Sequence, residues 1–190
     1  GYGIRGGAIW LDFGMNLIIN NCVFENNQAI QKNSSNGGTY GGALAIDDEW
    51  DAEINPYVRI NNSRFTKNKV GHEFGNTNTN GGAIYAGAPF IMTNTLVDSN
   101  TAEFNASGGR GLGGGLHIQV QSRWDGNNQI YGYSYLINNT IVNNYASASQ
   151  GSGEAGGIFI SNPDQQRGAW FNNIIWGNRS DGSESNYNLN

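Results

Sequence analysis

The chain has 190 residues, a net charge of −5 and only 13% charged residues, and an acidic surface excludes nucleic acid as a favourable partner because it repels phosphates. Glycine (29) and asparagine (30) are both abundant, which favours turns and strands over helices because these residues support left-handed corners and weaken helix interiors. Five Trp, nine Tyr and eight Phe argue against disorder. No stretch has the length of a transmembrane helix. The lone Cys22 excludes an internal disulfide and is predicted to lie in the core.

A paired signature recurs five times along the chain. Its first half is three small residues followed by a branched aliphatic residue, at Gly6–Ile9, Gly41–Leu44, Gly81–Ile84, Gly113–Leu116 and Ala155–Ile158. Its second half contains one or two asparagines, at Ile19–Phe24, Ile60–Phe65, Met92–Val97, Ile137–Val142 and Phe171–Trp176. Constant motifs with variable spacing predict stacked coils joined by loops. The expected fold is all-β, a right-handed parallel β-helix (β-solenoid) of about five coils with long loops, in which residues 1–190 form a single segment.

After each triplet the residues alternate with the period of a strand. Two apolar columns are predicted to face inward: Ile9, Leu44, Ile84, Leu116, Ile158, and then Leu11, Ile46, Ala86, Ile118, Ile160. Two further columns are predicted to face outward: Trp10, Ala45, Tyr85, His117, Phe159, and then Asp12, Asp47, Gly87, Gln119, Ser161.

Asparagines recur at the expected corners of the coils. One set predicts a hydrogen-bonded ladder because asparagine tolerates left-handed angles and its amides pair between stacked strands: Asn21, Asn62, Asn94, Asn139 and Asn173. A second set predicts the next corner: Asn27, Asn68, Asn100, Asn144 and Asn178.

The signature resembles the repeats of bacterial secreted right-handed β-helix proteins of the polymorphic outer-membrane type, with their Gly-Gly-Ala-Ile and Phe-x-x-Asn pair. Phe24–Asn27 and Phe65–Asn68 match it, Val97 replaces the aromatic residue in the third copy, and the last two copies depart from the spacing. The resemblance implies an extracellular or cell-surface location and a passenger, adhesin or glycan-handling role. Because no distinct cap is recognisable at either end, the chain is expected to be part of a longer exported protein or an end-to-end assembly.

Outward aromatic side chains are candidates for stacking on sugar rings, whose faces are apolar and whose edges are polar. The candidate glycan-binding residues are Trp10, Tyr85, His117, Phe159, Trp50 and Trp124. The alternative is that a loop covers the outward column and turns it into a second small core.

Asp12 and Asp47 are predicted to lie on adjacent rungs. Two close carboxylates suit either a retaining glycosidase or a calcium ion, which prefers oxygen ligands. The acidic segment favours calcium as the one possible cofactor, with Asp47, Asp48, Glu49 and Asp51 as ligands, and a solvated acidic loop is the alternative. His72, in a superficial match to polygalacturonases, is interpreted as a loop residue.

Three functions remain open from the sequence. The first is an extracellular or cell-surface structural or adhesive β-helix whose partner is a polysaccharide or the surface of a host or neighbouring cell. The second is a polysaccharide lyase or glycoside hydrolase, with Asp12, Asp47 and His117 as weak catalytic candidates. The third is a fibre subunit that associates end to end.

Overall fold

A computed structural model describes residues 3–12, 16–32, 37–47, 58–120, 122–149, 153–181 and 183–189. In this part of the chain the strands form five parallel sheets, and each turn of the chain visits the sheets in the same order. The described residues contain no α-helix and one 3₁₀ turn, Pro163–Gln165. The predicted β-solenoid of about five coils is confirmed.

The first three coils share one pattern of short strands. The first coil contains β1 (Ile4–Arg5), β2 (Ile9–Leu11), β3 (Leu17–Asn20), β4 (Val23–Glu25) and β5 (Gln28–Gln31). The second contains β6 (Thr39–Tyr40), β7 (Leu44–Ile46), β8 (Val58–Asn61), β9 (Arg64–Thr66) and β10 (Lys69–His72). The third contains β11 (Thr79–Asn80), β12 (Ile84–Ala86), β13 (Phe90–Thr93), β14 (Leu96–Asp98) and β15 (Thr101–Phe104).

The fourth coil carries an inserted hairpin. Its strands are β16 (Gly111–Leu112), β17 (Leu116–Ile118), the hairpin β18 (Arg123–Asp125) and β19 (Asn128–Ile130), then β20 (Gly132–Ile137), β21 (Thr140–Val142) and β22 (Tyr145–Ala148). The fifth contains β23 (Ile158–Ile160), β24 (Gln166–Phe171), β25 (Ile174–Trp176) and β26 (Arg179–Ser180). Two short strands follow, β27 (Ser183–Glu184), antiparallel to β26, and β28 (Tyr187–Leu189), parallel to β23.

We name the parallel sheets in the order in which a coil visits them. Sheet A is β1-β6-β11-β16, sheet B is β2-β7-β12-β17-β23-β28, sheet C is β3-β8-β13-β20-β24, sheet D is β4-β9-β14-β21-β25, and sheet E is β5-β10-β15-β22-β26 with β27 at its edge.

The main core lies between sheets B, C and D. Both predicted inward columns are in register across sheet B, and their members belong to this core or pack against it. Phe65, fully buried, stacks on Phe24 with ring centroids 4.6 Å apart. Burying each large apolar side chain contributes about 1.5–3 kcal/mol. Stability therefore comes from contacts between coils, since one coil alone leaves its apolar side chains open.

The first two positions of each triplet have different roles, shown by the second coil. Gly41 adopts a φ of 60°, the left-handed region that glycine enters without strain. A Cβ on Gly42 would overlap the carbonyl oxygen of Gly82 and lie 2.7 Å from the backbone of Lys69 in sheet E. The second glycine therefore permits close approach of the sheet A–B corner to sheet E.

Two polar ladders stabilise the corners. The ladder between sheets D and E consists of Asn27, Asn68, Asn100, Asn144 and Asn178. In its centre, the backbone N–H and the amide of Asn68 donate to Oδ1 of Asn100, at 2.8 and 2.9 Å, while Nδ2 of Asn100 donates to the carbonyl of Phe65 and to Oδ1 of Asn144, both at 2.9 Å. These amides are buried from Asn68 onward, so the predicted asparagine ladder is confirmed, and its continuous form lies at the second predicted corner.

The register predicted for the first asparagine set is wrong by one residue in the last two coils. Strand pairing places Asn138 beside Asn94 and Asn172 beside Asn138, so Asn139 and Asn173 do not belong to this column. All residues of the corrected column have positive φ: Asn21, Asn62, Asn94, Asn138 and Asn172. The next column is a ladder of mixed side chains between sheets C and D: Cys22, Ser63, Thr95, Asn139 and Asn173. A slip of one residue exchanges inward and outward side chains. The inward position that precedes the D–E ladder is therefore occupied by Ile141 in the fourth coil and Ile175 in the fifth. Val142 and Trp176, which follow them, do not occupy it.

Two further residues differ from their predicted environments. Cys22 is exposed, because it belongs to the corner column of the first coil, and its Sγ donates to the carbonyl of Asn20 at 3.2 Å. His72 is not a loop residue; it lies in β10 with its side chain buried against Phe104.

Candidate functional site: the groove between sheets A and B

The outer surfaces of sheets A and B meet in a concave corner. The outward column of sheet A is Arg5, Tyr40, Asn80, Leu112 and Glu154. Members of this column contact a sheet B residue one coil further on: Tyr40 lies 4.7 Å from Tyr85 between ring centroids, and Leu112 packs in a cluster with Phe159. Outer side chains of two sheets can meet only where the sheets fold towards each other. We call this corner the A–B groove.

The predicted outward aromatic column forms the floor of the A–B groove, and most of it is buried. Tyr85, His117 and Phe159 are only 5%, 1% and 2% exposed. The prediction that these three present open faces to sugars is wrong; the alternative, a second small core, describes them. The physical reason is the concave corner, in which side chains of sheet A cover those of sheet B.

The remaining aromatic candidates have different positions. Trp10, at the first coil of the same column, is 52% exposed. Trp124 is exposed on the hairpin β18–β19, and Trp50 lies outside the described residues. Their sugar-binding role stays a prediction.

The centre of the A–B groove is a polar, open cavity of about 480 Å³. The residues that matter for its chemistry are Tyr40, Asn78, Asn80, His117, Gln119 and Ser161. They carry amides, hydroxyls and an imidazole. The cavity therefore offers both donors and acceptors of hydrogen bonds from uncharged groups.

A relay of hydrogen bonds crosses this cavity. The amide nitrogen of Asn80 donates to the carbonyls of Thr39 and Asn78, at 3.3 and 3.2 Å, which turns its Oδ1 towards His117. Nδ1 of His117 therefore donates to Oδ1 of Asn80, at 3.0 Å. Nε2 is left as the acceptor, and the hydroxyl of Ser161 lies 2.9 Å from it. Asn80 thus selects the tautomer of His117 whose Nε2 lone pair faces Ser161.

Packing fixes the imidazole of His117 as well. The rings of Tyr85 and Phe159 contact it edge to face, with centroids 5.4 and 5.0 Å away. Complete burial lowers the pKa of His117 to about 3, because desolvation penalises the charged form. The imidazole is consequently neutral at physiological pH.

Gln119 is oriented by the same floor of aromatic residues. The hydroxyl of Tyr85 donates to Oε1 of Gln119 at 3.3 Å, so the amide nitrogen is the end that remains for other partners. Gln119 and Ser161 follow directly after the paired strands β17 and β23, at adjacent positions in one column. The side chains of both residues line the cavity.

Charged side chains of the first two coils lie at one end of the A–B groove. Arg5 forms an ion pair with Asp47, and its guanidinium lies 5.6 and 5.4 Å from the ring centroids of Trp10 and Tyr40. Asp12 and Asp47 follow the paired strands β2 and β7, on adjacent rungs as predicted.

The calcium and catalytic predictions for these acids stay predictions. Asp47 is buried and occupied by Arg5, whereas Asp48, Glu49 and Asp51 lie outside the described residues. Among the residues that are described, no group of three or more His, Cys, Asp or Glu side chains is placed to hold a metal ion.

Part of the relay could be predicted from the sequence. The predicted outward columns contain His117, Gln119 and Ser161, whereas Asn80 belongs to neither column. Of these residues only His117 has a predicted role. Asn80 was missed because it precedes the triplet and lies outside both halves of the signature. The signal available was its position directly before Gly81, because a strand of sheet A ends directly before the triplet in each of the first four coils.

Comparison of the chain with protein families, curated proteins and solved structures gave no match. In the described part of the chain, no helix has the length and apolar character needed to cross a membrane.

Proposed function

We propose that the protein is an extracellular, carbohydrate-binding β-solenoid that holds an uncharged glycan in the A–B groove. The observation that carries the proposal is the uncharged polar lining of the cavity. Amides and hydroxyls such as those of Asn78, Gln119 and Tyr40 match sugar hydroxyls, which both donate and accept hydrogen bonds.

The rigidity of the solenoid supports binding. The side chains of Asn80, His117 and Gln119 are each fixed by hydrogen bonds to neighbouring coils, so a ligand would meet a preformed surface. Preformed sites lose less conformational entropy on binding than mobile ones. The half-exposed Trp10 extends the same column and supplies a flat face on which a sugar ring can stack.

The repeat signature supports the extracellular assignment. Its resemblance to bacterial secreted β-helix repeats favours a surface or matrix protein that adheres to polysaccharide. The lyase and glycosidase alternatives depend on Asp12, Asp47 and His117, and in this set Asp47 is engaged in an ion pair with Arg5. End-to-end association is a separate prediction, which native mass spectrometry would test.

The experiment is isothermal titration with neutral oligosaccharides (gluco-, manno- and galacto-oligomers) and with an oligogalacturonate. We expect binding of at least one neutral series and a loss of about tenfold in affinity in Gln119→Ala, because one buried hydrogen bond is worth about 1–1.5 kcal/mol. Gln28→Ala is the matched control, since Gln28 is exposed on the outer face of sheet E. Absence of binding to every neutral series, or equal losses in the two variants, would contradict the proposal.

A further inference from the structure

We propose that the A–B groove is also an esterase site, in which Ser161 removes a small acyl group from a hydroxyl of the bound glycan. The inference rests on the proposed function for its substrate class, an O-acylated uncharged glycan. It rests on the relay of Asn80, His117 and Ser161 for its chemistry. A nucleophile within hydrogen-bond reach of a base that a third group orients is the arrangement that acyl-transfer enzymes use.

Ser161 has the position of a nucleophile. It follows the last residue of β23, it is only partly buried, and its hydroxyl lines the cavity 2.9 Å from Nε2 of His117. The next residue, Asn162, has a φ of 54°, so the chain turns sharply away directly after the serine. Asparagine adopts this left-handed conformation readily.

His117 is the base and Asn80 is a positioning residue. In its neutral state the Nε2 lone pair of His117 faces the serine hydroxyl, because the Asn80 oxygen holds the proton on Nδ1. The edge-to-face contacts with Tyr85 and Phe159 hold the plane of the ring. Unlike a carboxylate, the Asn80 amide supplies orientation without a negative charge.

Gln119 has the position of an oxyanion donor. The Tyr85 hydroxyl occupies its Oε1, which leaves the amide N–H groups as donors beside Ser161 in a cavity lined by both residues. Side-chain amides of Asn or Gln stabilise the oxygen of a tetrahedral intermediate, and loss of one such donor lowers the rate by about 10²–10³-fold.

The reaction balances with water as the only co-reactant. Oγ of Ser161 attacks the acyl carbon while its proton passes to Nε2 of His117, and the carbonyl oxygen becomes the oxyanion. Collapse breaks the bond between the acyl carbon and the sugar oxygen, which leaves with the proton from Nε2. Water then attacks the acyl-serine by the same route and releases the carboxylic acid, restoring both residues.

The chemistry of the relay selects esters over amides and glycosides. A buried imidazole with no carboxylate partner is a weak base and holds an added proton poorly. Slow acylation of an activated carbonyl is within its reach, whereas cleavage of an amide requires stronger proton donation to the leaving group. We therefore expect turnover well below that of enzymes with a carboxylate in the place of Asn80.

The test is covalent labelling of the whole protein with a fluorophosphonate, followed by intact and peptide mass spectrometry, alongside hydrolysis of 4-nitrophenyl acetate. We expect one label on Ser161, loss of label and hydrolysis in Ser161→Ala, and a decrease of about 100-fold in the labelling rate of Gln119→Ala. Ser149→Ala, a change at an exposed serine, is the matched control and should label normally. An unlabelled wild-type protein, or label that persists in Ser161→Ala, would overturn the inference.

Two readouts separate this inference from the proposed function and from a structural role of the relay. Titration of the wild-type protein measures glycan binding separately, so a wild-type protein that binds the glycan but shows neither label nor hydrolysis contradicts only the esterase assignment. Asn80→Asp should raise the pKa of His117, because a carboxylate stabilises the imidazolium. The midpoint of the labelling rate against pH should then move upward; a midpoint that does not move in a folded variant would overturn the assignment of His117 as base.

Discussion

Nδ1 of His117 donates a hydrogen bond to Oδ1 of Asn80 across 3.0 Å, and the two residues belong to different sheets of successive coils. The pair links the outer faces of sheets A and B at the centre of the groove. The imidazole of His117 is completely buried in this pair, and its burial affects the stability of the protein at acidic pH.

Acidification should destabilise the protein through His117. Burial lowers the pKa of His117 from 6.5 to about 3, so between these values the unfolded chain binds a proton that the folded chain does not. The contribution of neutral His117 to the free energy of unfolding is therefore fully present above pH 6.5 and is lost as the pH falls towards 3. For this residue alone we expect the free energy of unfolding to decrease by about 2 kcal/mol from pH 7 to pH 5.

Urea unfolding at both pH values measures this decrease. His117→Gln should show a smaller decrease than the wild type, by about that amount. Burial also lowers the pKa of His72, so some dependence on pH remains in the variant. An unchanged dependence on pH in a folded His117→Gln protein would refute the prediction.

The buried asparagine ladder should be strongest in its middle. Asn100→Ala removes the partner of the Asn68 amide and backbone N–H and leaves the carbonyl of Phe65 without its donor. Each unsatisfied buried group costs about 1–3 kcal/mol, so we expect a loss of about 3–6 kcal/mol. Asn27→Ala, in the partly exposed first coil, should cost about 1 kcal/mol. Urea unfolding measures both losses, and equal losses in the two variants would contradict the prediction that the buried middle of the ladder contributes more.

Close packing at the triplets should make their second glycine intolerant of any side chain. A Cβ at Gly42 would meet backbone atoms of Gly82 and Lys69, which cannot rotate away. We expect Gly42→Ala to lose more than about 3 kcal/mol by strain in the core or to fail to fold. Gly71→Ala is the matched control, since the nearest atom to its Cβ is a side-chain carbon of Ile30 at 3.6 Å; that variant should fold with a thermal midpoint close to the wild type.

The two phenylalanines stacked between the first two coils should contribute unequally to the free energy of unfolding. Phe65 is fully buried, whereas Phe24 is only partly buried. Phe65→Ala should cost about 3–5 kcal/mol through the cavity that it leaves. We expect Phe24→Ala to cost less than half of that. Calorimetry of the two variants would contradict this expectation if Phe24→Ala were the more destabilised.

The coils were predictable because their determinants are local and repeated. Residues such as Ile9, Leu44 and Ile84 return at one position after each glycine triplet, and only stacked strands bury all of them on one side. The last two copies were misaligned because Asn138 and Asn139 both fit an asparagine corner. The inward residues Leu136 and Ile141 settle the register, since a slip by one would place them outside.

The solenoid, its inward columns and the existence of asparagine ladders could be predicted from the chain alone, because alternation and repetition are properties of neighbouring residues. The folding of sheets A and B into a groove could not be predicted in this way, since the angle between two sheets depends on contacts between distant residues, such as Gly42 against Lys69. That angle buries Tyr85 and Phe159 and joins Asn80, His117 and Ser161 from three successive coils. Residues so far apart along the chain share no local pattern, and their meeting follows from how the coils stack.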